Sequence, residues 1–150
     1  MEDSDIHDEH ELRRPLAITL LGGLYLFFFL LTVSSYGHPI PFLGAIYHGR
    51  TAGVLVFIDS LICLYLFLGL MKRQRLTWYL LLGYNAFETV NTLTNLMVIT
   101  SADLEKVIGE QVDSAGLLTS NISVIVAILL LSGFIFRQRS YFTNRSKYLF

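Results

Sequence analysis

The stretch that decides the fold is Leu76–Thr100, which reads LTWYLLLGYNAFETVNTLTNLMVIT. It is long enough to cross a bilayer, because a hydrocarbon core of about 30 Å needs about 20 helical residues. Glu88 nevertheless lies in its middle, and asparagine and threonine residues surround it. A carboxylate at the centre of a membrane helix costs roughly 2.5–3.5 kcal/mol on insertion scales. The stretch is therefore predicted to be a membrane helix with one polar face turned away from lipid.

The composition of the whole chain is typical of a membrane protein. Of its 150 residues, 53% are hydrophobic and only 15% are charged, and the mean hydropathy is +0.55. A soluble domain of this length would need more charge on its surface. A net charge of −1, without a basic and aromatic motif, excludes nucleic acid as a predicted partner. Cys63 is the only cysteine, so an intramolecular disulfide is excluded.

Four apolar stretches have the length of a membrane span, at about residues 15–35, 52–71, 76–100 and 117–136. Backbone polar groups in lipid need internal partners, so these stretches must be helices. The predicted fold class is all-α, a single antiparallel bundle of four transmembrane helices. Residues 1–12 are expected to form a mobile acidic tail, and residues 137–150 a basic cytoplasmic tail.

The positive charges predict the orientation of the bundle. Every lysine and arginine except Arg50 and Lys106 lies before the first span, between the second and third, or after the fourth. Basic residues accumulate on the cytoplasmic side of membrane proteins, so both termini are predicted to face the cytoplasm. Only the short segment 72–75 joins the second and third spans, which predicts that they are antiparallel neighbours.

The two outward connections differ in character. Residues 37–50 are rich in glycine and proline yet remain apolar, and we expect them to fold against the membrane surface or the mouth of the bundle. Residues 101–116 place apolar side chains near a helical period between acidic ones. This pattern predicts a short amphipathic helix outside the bilayer, either separate from the third span or continuous with it.

Asp59 is the second carboxyl group inside a predicted span. Counted from the cytoplasmic ends of their spans, Met71 for Asp59 and Leu76 for Glu88, both carboxyl groups lie about 18 Å deep at 1.5 Å per residue. The short connection makes their helices neighbours. The two carboxyl groups are therefore predicted to face each other at matched depth, with no lysine or arginine inside any span.

The helical repeat places further polar residues on the face of Glu88. Asn121 of the fourth span is expected at the depth of Asn95, which predicts a hydrogen bond between these two amides. The predicted intramembrane polar site comprises Asp59, Tyr84, Glu88, Asn91, Thr92, Asn95 and Asn121.

This site has three interpretations. Polar residues in membrane helices often connect helices through hydrogen bonds, and a proton shared by the two carboxyl groups is compatible with purely structural packing. The site could instead handle protons or cations, or contact a lipid or small ligand. No metal or other cofactor is predicted, since His38 and His48 lack a recognised ligand spacing.

Three short segments, at the start of the first span and on both sides of the second connection, carry a resemblance to known proteins. Arg14-Pro15-Leu16-Ala17-Ile18-Thr19 opens the first span, and Gly69-Leu70-Met71-Lys72 and Thr77-Trp78-Tyr79 flank the second connection. In these segments and in architecture, the chain resembles a loose group of uncharacterised prokaryotic four-helix membrane proteins. The resemblance implies a prokaryotic cytoplasmic membrane and no particular activity.

The sequence contains no nucleophile elbow, phosphate loop or redox cysteine pair. We therefore expect a small non-enzymatic integral membrane protein, surrounded by lipid and acting as an oligomer or as an accessory subunit of a membrane complex. The alternative is a small proton- or cation-coupled transporter or channel that uses Glu88 and Asp59. A weaker alternative is a membrane enzyme on a lipid-soluble substrate, with Glu88 as acid-base residue and Asn91 and Asn95 as orienting groups.

Overall fold

The computed structural model describes residues 16–145, so the predictions for the acidic tail, Arg13, Arg14 and Lys147 lie outside the described residues. Five α-helices make up most of the described chain, which confirms the predicted helical class. The elements are α1 (Leu16–Ser34), β1 (Ile40–Phe42), β2 (Ala45–Tyr47), α2 (Gly49–Met71), α3 (Arg75–Val98), α4 (Ser101–Ile108), α5 (Ser114–Arg137) and a 3-10 turn (Arg139–Tyr141).

Three of the helices, α1, α2 and α5, are long and apolar enough to cross a membrane, judged by length and composition. This finding supports a membrane protein. Helix α3 differs from them, because it has 24 residues but carries the polar side chains around Glu88. Its interior is too polar for it to qualify by composition alone.

The helices pack as two pairs, α1 along α2 and α3 along α5. The hydrophobic core lies near the end of the molecule where α2 turns into α3, here called the turn end. It is formed by the buried residues Ile18, Leu21, Tyr25, Leu66, Leu70, Trp78, Leu81, Ile135 and Phe142. Helices α2 and α3 contact each other much less than the paired helices do, which leaves a cleft between them towards the opposite end.

The segment after α5 returns to the turn end and fixes the short connection. The Arg75 amide donates a hydrogen bond to the Asn144 carbonyl at 2.8 Å, and the Asn144 amide donates to the Arg73 carbonyl at 3.1 Å. Trp78 reaches α5, where its indole N–H donates to the Ile135 carbonyl at 3.0 Å. The Arg139 guanidinium lies 5.1 Å from the centre of the Trp78 ring, a cation–π distance.

Strands β1 and β2 form an antiparallel hairpin in which Phe42 pairs with Ala45. The two residues between them, Leu43 and Gly44, have φ angles of 47° and 82°. Two positive φ values define a type I′ turn, whose twist matches that of the flanking strands. The glycine- and proline-rich segment 37–50 is therefore ordered as a hairpin, and we call this end of the molecule the hairpin end.

Helix α4 is separate from α3. Thr100 and Asp103 form a capping box, in which each side chain accepts a hydrogen bond from the other residue's backbone amide. The side-chain hydrogen bond from Thr100 is the main cause that lowers the pKa of Asp103. Gly109, with a φ of 78°, ends the helix as a left-handed C-cap. A capping box starts a new helix, so α4 is not an extension of the third predicted span.

Candidate intramembrane polar site

A cavity of about 340 Å³ lies between the hairpin and helices α1, α2 and α3. Asp59 from α2 and Glu88 from α3 both line it, together with Tyr84 and Asn91. Helix α1 contributes Thr32, and the rest of the lining is largely apolar. The cavity therefore brings the two predicted carboxyl groups to one space.

The Asp59 carboxylate is held by hydroxyl groups from two neighbouring helices. The Tyr84 hydroxyl donates to Asp59 Oδ1 at 2.8 Å, and the Thr32 hydroxyl donates to Asp59 Oδ2 at 3.2 Å. Cys63 Sγ lies 3.4 Å from the Tyr84 oxygen. Because Tyr84 donates its own proton to Asp59, the Cys63 thiol is the donor in that contact. The result is a hydrogen-bonded chain from Cys63 through Tyr84 and Asp59 to Thr32.

Glu88 is half-buried and lines the cavity together with Asn91, which follows it by one turn of α3. Thr92, which was predicted to share the site, instead donates its hydroxyl to the Glu88 backbone carbonyl at 2.8 Å. This bond satisfies the threonine within its own helix, as threonine hydroxyls in helices often do. Thr92 therefore contributes nothing to the cavity that Glu88 lines.

Asn91 and Asn95 bind the turn of the hairpin. The Asn91 Oδ1 atom accepts from the Leu43 amide at 2.8 Å, and Asn95 Oδ1 accepts from the Gly44 amide at 2.7 Å. The Asn95 amide nitrogen lies 3.3 Å from Asn91 Oδ1 and 3.4 Å from the Pro41 carbonyl. The two side chains therefore satisfy both backbone amides of the I′ turn and hold the hairpin on α3.

Asn121 lies apart from this arrangement. Its amide donates to the Leu117 carbonyl in its own helix at 2.9 Å. The predicted Asn95–Asn121 hydrogen bond is wrong, because the hairpin backbone occupies the Asn95 amide. Both residues instead line a second cavity, of about 300 Å³, between α3 and α5.

A second polar network, which sequence reasoning missed, crosses the bundle closer to the core. The buried Tyr25 hydroxyl of α1 donates to Asn85 Oδ1 at 2.8 Å, and the Asn85 amide donates to the Ser132 hydroxyl of α5 at 3.2 Å. Asn85 is only 3% exposed. The sequence offers no specific signal for this network, because α1, α3 and α5 each carry several polar residues.

The charged side chains that line the first cavity are all acidic. None of the described residues that line it is basic, and the described salt bridge between Lys106 and Asp103 lies in α4. Charges interact strongly where water is scarce, because the effective dielectric constant is low. Two carboxyl groups in such a space favour a proton or a cation between them.

Comparison with known proteins adds no relative: no protein-family model, no curated protein and no solved structure matches this chain.

Proposed function

We propose that the chain crosses a prokaryotic cytoplasmic membrane four times, as an antiparallel bundle with both termini inside. The fourth span in this proposal is α3, whose 24 residues equal the length of α5. Among the polar side chains of α3, Asn91 and Asn95 bind the hairpin, and Tyr84 and Glu88 line the cavity. These side chains are thereby turned away from the surrounding lipid. The distribution of basic residues supports the orientation.

The function proposed for this membrane protein is non-enzymatic binding of a proton or a cation in the cavity of Asp59 and Glu88. The observation that carries the proposal is that both carboxyl groups line one cavity without a basic partner among the described residues. Hydroxyl groups from α1 and α3 already hold Asp59 in place. A preorganised acidic site of this kind costs little reorganisation when a cation enters.

An enzymatic role is less well supported by the same geometry. In the enzymatic alternative, Asn91 and Asn95 orient a substrate beside Glu88. The oxygens of both amides accept hydrogen bonds from the hairpin backbone, so they serve the fold. Among the described residues, Asn91 lines the cavity beside Glu88 and Asn95 does not.

The test is ion or proton flux and binding in liposomes. Glu88→Gln and Asp59→Asn keep the size of each side chain and remove its charge. We expect both variants to fold and to lose pH- or cation-dependent binding or flux. Glu110→Gln, an exposed position outside the cavity, is the matched control and should behave like the unmodified protein. Unchanged cation dependence in both cavity variants would remove the proposal.

A specific feature of α5 favours a second function, that of a subunit in an oligomer or larger membrane complex. Only Ile135 of this helix is buried. Of the most apolar 18 residues of α5, 6% are buried within the fold, against 33% of the corresponding residues of α2. An apolar helix so weakly covered needs lipid or another protein around it. Extraction of the protein from native membranes in mild detergent, followed by mass measurement, tests this role. A monomer without bound chains would count against it.

A further inference from the structure

Beside the acidic cavity lies a larger cleft, of about 690 Å³, also between α2 and α3. Its lining is almost entirely apolar and includes Ile62, Tyr65, Tyr79, Leu80 and Gly83. Several of these side chains face outwards, with Tyr79 51% and Leu80 40% exposed. The cleft therefore opens sideways, towards the lipid if the helices span a bilayer.

The apolar cleft and the acidic cavity adjoin each other. Four residues, Ile58, Ile62, Tyr84 and Phe87, line both of them. Tyr84 stands at the junction, with its ring on the apolar side and its hydroxyl on Asp59. A molecule that extended from the cleft into the cavity would therefore meet apolar side chains over most of its length and two carboxyl groups at one end.

We propose that the apolar cleft opens into the acidic cavity and that the two together bind a single-chain amphiphilic cation from the bilayer, with its alkyl chain between α2 and α3 and its ammonium head against Asp59 and Glu88. The inference rests on the proposed cation site and names the class of ligand. Charge complementarity selects the head group, since an anionic head would meet two carboxyl groups. The apolar half of the cleft selects a tail.

An organic cation fits this site better than a metal ion. Within the described residues 16–145, no group of three or more histidine, cysteine, aspartate and glutamate side chains comes together. Ca²⁺ and Mg²⁺ take six or more oxygen ligands, and Zn²⁺ takes three or four protein ligands, whereas an ammonium group needs only a few hydrogen-bond acceptors. The two carboxyl groups provide such acceptors, and the apolar cleft would keep bulk water away from the pair.

The head group and the alkyl chain contribute differently to binding, because the ligand comes from lipid and not from water. Lipid tails are as apolar as the cleft, so moving an alkyl chain from bilayer to cleft gains little. The head therefore decides the affinity, while the shape of the cleft decides which tails are accepted. Gly83 lines this cleft. A Cβ atom added there would meet nothing within 4 Å, so a larger side chain at this position would extend into free space.

The experiment measures binding of radiolabelled dodecylamine to protein in nanodiscs of zwitterionic lipid, with empty nanodiscs subtracted. Unlabelled dodecylamine, dodecanol, dodecanoate and methylamine compete at equal concentration. We expect only dodecylamine to compete fully at pH 7, because the alcohol and the acid lack the positive head and methylamine lacks the tail. Saturable binding at one site per chain is the expected form.

Three variants separate the parts of the site. Asp59→Asn and Glu88→Gln should each weaken dodecylamine binding by at least about tenfold, the scale expected when one partner of a desolvated charge pair is removed. Gly83→Leu should weaken it by obstructing the apolar half while leaving the carboxyl groups intact. Glu110→Gln is the control and should not change it. If Asp59→Asn unfolds the protein, Glu88→Gln and Gly83→Leu still decide the question.

The outcomes distinguish this inference from the proposed function. If methylamine competes as well as dodecylamine and Gly83→Leu has no effect, the cation site stands and the amphiphile is excluded. If dodecanol competes equally and neither carboxyl variant weakens binding, both the cation site and this inference are overturned. Loss of binding in the two carboxyl variants together with Gly83→Leu supports the proposal in full.

Discussion

Gly69 lies at a close contact between α2 and α3. A Cβ atom at this position would collide with the Thr77 side chain of α3, and Thr77 is itself fully buried. Gly83, in α3, faces open space instead. The two glycines therefore permit a matched comparison at helix-interior positions, because only one of them is needed for close approach of two backbones.

We expect Gly69→Ala to destabilise the protein by about 1–3 kcal/mol, the range for overpacking a well-packed site. Gly83→Ala should be neutral or stabilising by up to about 1 kcal/mol, since alanine has the higher helix propensity. Denaturation of the purified protein in mixed micelles, followed by circular dichroism, measures both. Equal losses of stability in the two variants would show that Gly69 is not needed for packing.

The sequence alone identifies the residues of the site that stand out by their charge. A carboxyl group in an apolar run must find polar surroundings, so Asp59 and Glu88 could be singled out without a structure. Their partners could not. Thr32 contacts Asp59 from α1, and nothing in the sequence shows which helix packs beside α2 at that depth. Asn85 is nearly fully buried, but nothing in the sequence distinguishes it from the other uncharged polar residues of α3.

The hairpin is the element that sequence reasoning described least well. Glycine and proline predicted a folded segment, but its partner depends on Asn91 and Asn95, which lie far along the chain in α3. Leu43, with a φ of 47°, adopts a left-handed conformation that costs a residue other than glycine about 1–3 kcal/mol. Such a conformation persists only where the surroundings hold it, and the hydrogen bond to Asn91 does so.

Removal of the Asn91 side chain should loosen the hairpin. In Asn91→Ala the Leu43 amide loses its acceptor, which costs about 1–3 kcal/mol when the amide stays desolvated. We expect faster hydrogen–deuterium exchange over residues 40–47, measured by mass spectrometry. Thr94→Ala is the control, because that hydroxyl bonds only the Val90 carbonyl of its own helix. Unchanged exchange in Asn91→Ala would contradict the proposed role of this side chain.

Helix α4 should respond to acid through its capping box. The pKa of Asp103 lies below its ordinary value of 3.8, chiefly because the Thr100 side chain hydrogen-bonds the carboxylate. A carboxyl group whose pKa is lower in the folded state stabilises the fold above the unfolded pKa, and this contribution is lost as pH falls through the folded value. We expect helical NMR shifts of residues 101–108 to weaken only below pH 3.8.

The control for this titration is Asp103→Asn. It keeps a side-chain oxygen near the Thr100 amide but cannot titrate, so the acid transition in α4 should disappear. A transition that persists in Asp103→Asn would assign the pH dependence to another group.

At the scale of the whole molecule, hydropathy predicted where the helices lie, but it did not predict how they pair. The short turn brings α2 and α3 into close backbone contact at Gly69 and Thr77, and beyond it the two helices meet through side chains such as Tyr84 and Asp59. Elsewhere α1 packs on α2, and α3 packs on α5, with the Tyr25–Asn85–Ser132 network joining the two pairs. Pairing depends on shape and on buried hydrogen bonds, which a single sequence does not display. The cleft between α2 and α3 follows from this pairing.

The proposed topology gives a labelling pattern that depends on whether α3 crosses the membrane. In a Cys63→Ser background, single cysteines are introduced as His38→Cys, Ala102→Cys and Ser140→Cys, all at exposed positions. Four spans with both termini inside predict that an impermeant maleimide labels the first two in intact cells. Ser140→Cys should react only after permeabilisation.

Each departure from this pattern has a distinct physical meaning. If α3 does not cross, Ala102→Cys moves to the side of the α2–α3 turn, and α5 carries Ser140→Cys to the outside, so the labelling of these two sites is exchanged. A fully reversed pattern would keep four spans but contradict the orientation inferred from the basic residues. The exchanged pattern would expose the polar face of α3 to water at the membrane surface. Glu88 would then lie outside the bilayer, whereas Asp59 in α2 would remain within it. A cation would gain much less from a site in which a single carboxyl group is held away from water.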